Sequence, residues 1–163
     1  MGAESVTVCF TGNPNCGKTT LFNAYTGAGK KTANWPGVTV ALSEGSLMHR
    51  GRLVHLVDTP GIYSLDPYTM EETVTRQCIR DQKADVIIHV ADALLLERSL
   101  FLTMQLLAEG KPLVLALNMM DLVRERGMDI DTEGLSRLLG GIPVIPVSAR
   151  RRTGLEELLD AAV

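Results

Sequence analysis

Lys18 and Thr19 close the run Gly12-Asn13-Pro14-Asn15-Cys16-Gly17-Lys18-Thr19, which satisfies the spacing G-x-x-x-x-G-K-[ST] at every position. Residues of these types at this spacing hold a polyphosphate. A tight Gly-rich loop leading into a helix N-terminus presents backbone N–H groups and a positive dipole end to an anion. Lys18 is expected to reach the β- and γ-phosphates, and the Thr19 hydroxyl to ligate Mg²⁺. The neighbouring loop positions, Gly12 through Thr20, are expected to line the nucleotide.

Three further groups narrow the nucleotide to one carrying guanine. Asp58-Thr59-Pro60-Gly61 follows the apolar run Leu53-Val54-His55-Leu56-Val57. An Asp at a strand end facing a phosphate loop can hold Mg²⁺, and Gly61, lacking a side chain, lets its N–H approach a γ-phosphate. Asn118-Met119-Met120-Asp121 follows another apolar run. The Asp121 carboxylate can accept both the N1–H and the exocyclic amino hydrogens of guanine, a donor pair that adenine lacks, so it selects GTP over ATP. Met119 stands where lysine is common in such motifs, and its apolar stem can still cover the base. Ser148-Ala149 follows a third apolar run, and the Ala149 N–H is placed to contact the guanine O6.

A loop between the first two groups reads Asn34-Trp35-Pro36-Gly37-Val38-Thr39-Val40. A threonine here can close over Mg²⁺ when a γ-phosphate is present, an order–disorder switch. Thr39 is the candidate, with Thr32 the competitor nearer the first helix. The switch loops are therefore expected near residues 30–40 and 58–72, with Trp35 reporting on the first.

These groups need a scaffold that brings strand ends together. Apolar and alternating patterns predict strands at 5–11, 41–49, 52–58, 86–91, 112–117 and 143–147, and helices at 18–26, 70–82, 94–109, 132–139 and 154–162. The runs Ile87-Ile88-His89-Val90-Ala91 and Leu113-Val114-Leu115-Ala116-Leu117 are apolar throughout, as parallel strands buried on both faces are. The segment Leu42-Ser43-Glu44-Gly45-Ser46-Leu47 is more polar, as an edge strand would be. Thr153 with Glu156 three positions on reads as a capping box. Alternating strands and helices predict an α/β chain with the P-loop GTPase fold. Its sheet is expected to be doubly wound, mostly parallel and six-stranded, flanked by helices, with ligands at the carboxyl ends of the strands.

The 163 residues suit a single GTP-binding domain over 1–163, with 45% hydrophobic and 21% charged residues. The net charge of −3 argues against a nucleic-acid partner. Arg150-Arg151-Arg152 is a local exception, read as a solvated loop. No apolar run is long enough to span a membrane, so the segment by itself is expected to be soluble. Cys9, Cys16 and Cys78 form no C-x-x-C pair. Alkylation of Cys16, inside the phosphate loop, is expected to block nucleotide.

The runs GNPNCGKTTLF, NWPGVTV and DTPGIYSL, with Ala91-Asp92-Ala93 and the following Leu96-Glu97-Arg98-Ser99-Leu100, resemble the cytosolic G domain of FeoB-type ferrous iron transporters over nearly the whole chain. The resemblance implies a GTP-binding domain on the cytoplasmic face of the inner membrane, excised from a longer membrane protein. A helical domain and a transmembrane part would follow it, and homo-oligomers stay open. It also implies regulation or gating of ferrous iron transport, which composition and spacing do not reveal. A rival within the fold is a GTPase of ribosome assembly or tRNA modification, which usually carries an added RNA- or folate-binding domain. A rival of another class is a nucleotide sensor without significant turnover.

Ile62 follows Gly61 where many GTPases carry a water-positioning glutamine, and no arginine in the phosphate loop can neutralise developing charge. By resemblance to potassium-activated GTPases, Asn15 would help hold K⁺ against the phosphates and supply that charge. The expected catalytic set is therefore Asn15, Lys18, Thr39 and Gly61, with slow turnover stimulated by K⁺. The cofactors expected are GTP or GDP, Mg²⁺ held by Thr19, Thr39 and Asp58, and K⁺ held by Asn15.

Overall fold

The computed structural model describes residues 5–81 and 84–163. Among the described residues, seven strands and six α-helices follow one another along the chain. They are β1 (Ser5–Gly12), α1 (Lys18–Thr26), β2 (Lys31–Asn34), β3 (Ala41–His49), β4 (Arg52–Asp58), α2 (Met70–Asp81) and β5 (Val86–Asp92). Then come α3 (Leu96–Ala108), β6 (Leu113–Asn118), α4 (Met120–Glu125), α5 (Thr132–Leu138), β7 (Val144–Pro146) and α6 (Leu155–Ala162). The strands form one sheet in the order β2-β3-β4-β1-β5-β6-β7. From β4 to β7 neighbours run parallel, while β3 is antiparallel to both β2 and β4.

The period-two alternation of a strand distributes the core to both faces. Val6, Val8 and Phe10 of β1 pack with Leu21 and Phe22 of α1 and Leu158 and Ala162 of α6. Cys9, between them in sequence, faces the opposite layer with Val74 and Cys78 of α2. On β5, Ile88 and Val90 join the first layer, while Ile87 meets Leu102 and Leu106 of α3. Buried on both sides, β5 and β6 can be apolar at nearly every position.

Three expectations need correction. The sheet has seven strands rather than six, because Lys31–Asn34 adds a strand antiparallel to β3. That addition makes β2 the edge and moves β3 inside. All four β2 residues are exposed, so no alternation of apolar side chains marks it. The capping box at Thr153 does not form. Gly154 in the left-handed region (φ 76°) precedes α6, and Thr153 instead pairs with Ser148 through reciprocal backbone hydrogen bonds of 3.1 Å. The short helix α4 was not expected. The helix expected over 70–82 is described to Asp81, and position 82 lies outside the described residues. Among the described residues, no helix is long and apolar enough to cross a membrane.

The parallel strands all point their carboxyl ends the same way. Gly12 ends β1, Asp58 ends β4, Asn118 ends β6, and Ser148 and Ala149 lie just beyond β7. The fold thereby gathers four groups far apart in sequence onto one edge.

Candidate functional site

Asn13 through Thr20, with Gly61, line a cleft of about 350 Å³ at this edge. Its floor is the turn between β1 and α1. Asn15 adopts φ 65° and Gly17 φ 84°, both left-handed. At Gly17 the left-handed backbone coincides with crowding, since a Cβ there would stand 2.2 Å from the Asn118 amide nitrogen. Gly61 is equally constrained, because its Cβ would meet the Pro14 backbone at 2.9 Å. The segment after β4 therefore approaches the β1–α1 loop backbone to backbone.

Lys18 is buried, and its ammonium donates to Asp58 Oδ1 and to the Thr59 carbonyl. The Thr19 hydroxyl donates to Asp58 Oδ2 at 3.2 Å. Asp58 thus links the cation of the phosphate loop to its hydroxyl. The Thr59 hydroxyl and N–H both donate to the Phe10 carbonyl, at 2.7 and 3.2 Å, and Ile62 N–H donates to the Gly12 carbonyl at 2.9 Å. These bonds staple the segment after β4 to β1.

At the other end of the site, Asn118 is buried and satisfied twice. Its amide nitrogen donates to the Cys16 carbonyl at 3.0 Å, and its Oδ1 accepts from Ala149 N–H at 3.0 Å. One side chain therefore ties the phosphate loop to the loop after β7. Met119 sits in the left-handed region (φ 67°) and starts α4, whose first turn carries Asp121. Partial desolvation works against ionisation of Asp121. Hydrogen bonds from Ser148, from the Leu122 N–H and Asp121's own N–H, and from Arg151 outweigh it and hold the carboxyl below the usual carboxylate range. Arg151 Nε donates to Asp121 Oδ2 at 3.2 Å.

Most residues singled out from the sequence meet in this network: Asn13 to Thr20 and Gly61 line the cleft, Asp58 and Asn118 bond to Lys18, Thr19 and Cys16, and Ala149 and Ser148 lead from Asn118 to Asp121. Thr39 does not. It is exposed in the loop between β2 and β3 and lies outside the set lining the cleft. Thr32 is in β2, where its hydroxyl pairs with that of Ser43 at 2.9 Å. The Asn13 side-chain amide nitrogen donates to the Arg98 carbonyl at 3.3 Å, while its buried Oδ1 has no protein partner. Cys16 is buried, and desolvation pushes its thiol up, so the reactive thiolate is scarce and alkylation there is disfavoured. Sequence reading missed Arg151 as a partner of Asp121. Its signal, the triple Arg150-Arg151-Arg152, does not reveal which guanidinium folds back.

The donor set suits the expected ligands. Thr19 Oγ1 and both Asp58 oxygens converge as hard oxygen donors, the kind Mg²⁺ takes. Asn15 offers an exposed amide at the cleft, an oxygen ligand suited to a monovalent cation.

A family model described as ferrous iron transport protein B, FeoB_N, matches residues 6–162. The chain belongs to this family. A curated Fe(2+) transporter FeoB of Legionella pneumophila (strain Paris) is 48% identical over 151 residues, covering 90% of this chain and 20% of that protein. This chain thus spans about a fifth of the length of such relatives. The apo crystal structure of the cytosolic domain of the T. maritima FeoB iron transporter is 41% identical, with a TM-score of 0.94, covering 98% of this chain and 63% of that one. A crystal structure of an S. thermophilus NFeoB mutant bound to GDP is 42% identical with a TM-score of 0.91, covering 96% of this chain and 61% of that one. At these identities the FeoB G-domain architecture, a P-loop GTPase fold, extends to this chain.

Proposed function

We propose that this FeoB-family chain is a guanine-nucleotide switch that binds GTP or GDP with Mg²⁺ and hydrolyses GTP. Within a longer membrane protein it would regulate or gate ferrous iron transport from the cytoplasmic face. The observation that carries the nucleotide reading is Asn118. Its bonds to Cys16 and Ala149 join a phosphate cradle to a base-reading loop in one site. The GDP bound by the S. thermophilus relative supports the same ligand.

Each group then has a role. Lys18 exchanges Asp58 for the β- and γ-phosphates, and Thr19 with Asp58 holds Mg²⁺. Asp121 accepts the N1–H and amino hydrogens of guanine, and Ala149 N–H donates to its O6. Met119 covers the base, and Ser148 fixes Asp121. Gly61 and Thr39 would face the γ-phosphate side, and Thr39 would serve as a further Mg²⁺ ligand. Mg²⁺ and K⁺, when bound, would supply positive charge to the phosphates, and Asn15 would hold K⁺. Ile62 gives no hydrogen bond to water, so turnover is slow. The single G domain would be joined to helical and transmembrane parts of the full protein.

Fluorescent N-methylanthraniloyl GDP and ADP discriminate this reading from an adenine site. The guanine nucleotide should bind and the adenine nucleotide should not. Asp121→Asn should weaken guanine binding on the order of a hundredfold or more, two charge-assisted bonds being lost. Equal binding of both bases would contradict the assignment.

A further inference from the structure

The base-reading groups are already engaged with other parts of the protein. Ala149 N–H, the expected donor to guanine O6, is held by Asn118 Oδ1. Asp121, the expected acceptor of the guanine edge, is held by Arg151. The N1–C2–N2 edge of guanine is chemically a guanidine fragment that offers adjacent N–H donors to a carboxylate. An arginine side chain ends in the same fragment and prefers the same partner.

We propose that Arg151 is an intramolecular stand-in for guanine, closing the base subsite whenever no nucleotide is bound. Arg151 is a positioning residue that sets how often the site is open to nucleotide, and this rests on the guanine reading above. Its geometry is that of a latch with two anchors. Nε donates to Asp121 at 3.2 Å and Nη2 to Glu125 Oε1 at 2.9 Å, both acceptors lying on α4. The backbone directs the side chain: Arg151 N–H donates to Ser148 Oγ at 3.1 Å, and the Ser148–Thr153 bridge closes the loop on its other side. The latch is also light enough to open. The Arg151 and Glu125 side chains are 53% and 54% exposed, so water competes for both.

Guanine and Arg151 compete for Asp121. A competitor that acts only in the empty state lowers the fraction of binding-competent molecules and divides apparent affinity by that factor. It slows association and leaves dissociation unchanged, since the arginine is already displaced in the complex. A residue that merely shapes the loop would alter dissociation instead.

Rapid mixing of the chain with N-methylanthraniloyl GDP separates these cases, using wild type, Arg151→Gln, Arg151→Lys and Glu125→Gln. Arg151→Gln should associate about two- to five-fold faster, the range set by an exposed ion pair, with an unchanged dissociation rate. Glu125→Gln, which loosens the second anchor, should shift association the same way by a smaller factor. Arg151→Lys keeps a cation opposite Asp121 and should fall between wild type and Arg151→Gln. Unchanged association in Arg151→Gln, or faster dissociation without faster association, would overturn the latch. Failure of wild type to bind the probe would overturn the guanine reading and the latch with it.

Discussion

Ile62 shows how much one residue can say about chemistry. Its side chain is buried with Leu65, Ile79, Ile87, Leu102 and Leu106, while its N–H is held by the Gly12 carbonyl. The position after Gly61 therefore faces the core and not the cleft. Glutamine introduced here gains no access to an attacking water. Ile62→Gln should lower unfolding stability by about 2–4 kcal/mol, from lost apolar burial and a buried amide, and leave GTP turnover per folded molecule no faster. Chemical denaturation and a phosphate-release assay would check both, and a faster variant would show that the segment turns outward. Lys18, Thr19, Asp58 and Asn118 were legible from residue type and spacing, because phosphate and metal chemistry admits few alternatives. The Arg151–Asp121 pair was not, because three adjacent arginines look alike until the loop's hydrogen bonds choose one. Thr39 was legible as a candidate, but its loop holds it at the surface.

At the scale of elements, β1, β3 to β7 and five of the helices were readable, because each must hide an apolar face and its period shows in the side chains. Of the two elements that escaped, β2 has no such face, and α4 shows only Met120 and Val123, too short a stretch for its period to be read. β2 is a four-residue strand, exposed throughout, whose existence depends on backbone pairing with β3. α4 is six residues long and begins at a left-handed Met119, a start that lacks the usual capping side chain. Thr153 carried a sound capping signal that tertiary pairing with Ser148 overrode. The missed elements flank the loop that carries Thr39 and the turn that carries Asp121.

At the scale of the whole molecule, a buried histidine makes folding oppose protonation. His89 lies inside β5, fully buried, where desolvation pulls its pKa down to about 3. The Thr103 hydroxyl gives its hydrogen to the Ser99 carbonyl and receives one from His89 Nδ1 at 3.0 Å, leaving Nε2 buried without a partner. The unfolded chain takes up this proton near pH 6.5 and the folded chain only near 3. The folded state's advantage is therefore complete above pH 6.5 and declines as pH falls toward 3, with a slope approaching about 1.4 kcal/mol per pH unit. Denaturant unfolding between pH 6.5 and 5 should show this slope in wild type and lose it in His89→Leu. Parallel curves for the two would show that His89 titrates normally.

The nucleotide chemistry of the molecule is tested most directly by multiple-turnover phosphate release from GTP, at matched ionic strength in KCl and in NaCl, with wild type and Asn15→Ala. Slow turnover that is faster in KCl, and that loses its K⁺ dependence in Asn15→Ala, is the predicted result. Equal rates in both salts would return Asn15 to shaping the loop, and absence of turnover in either salt would contradict the account of the chain as a GTPase.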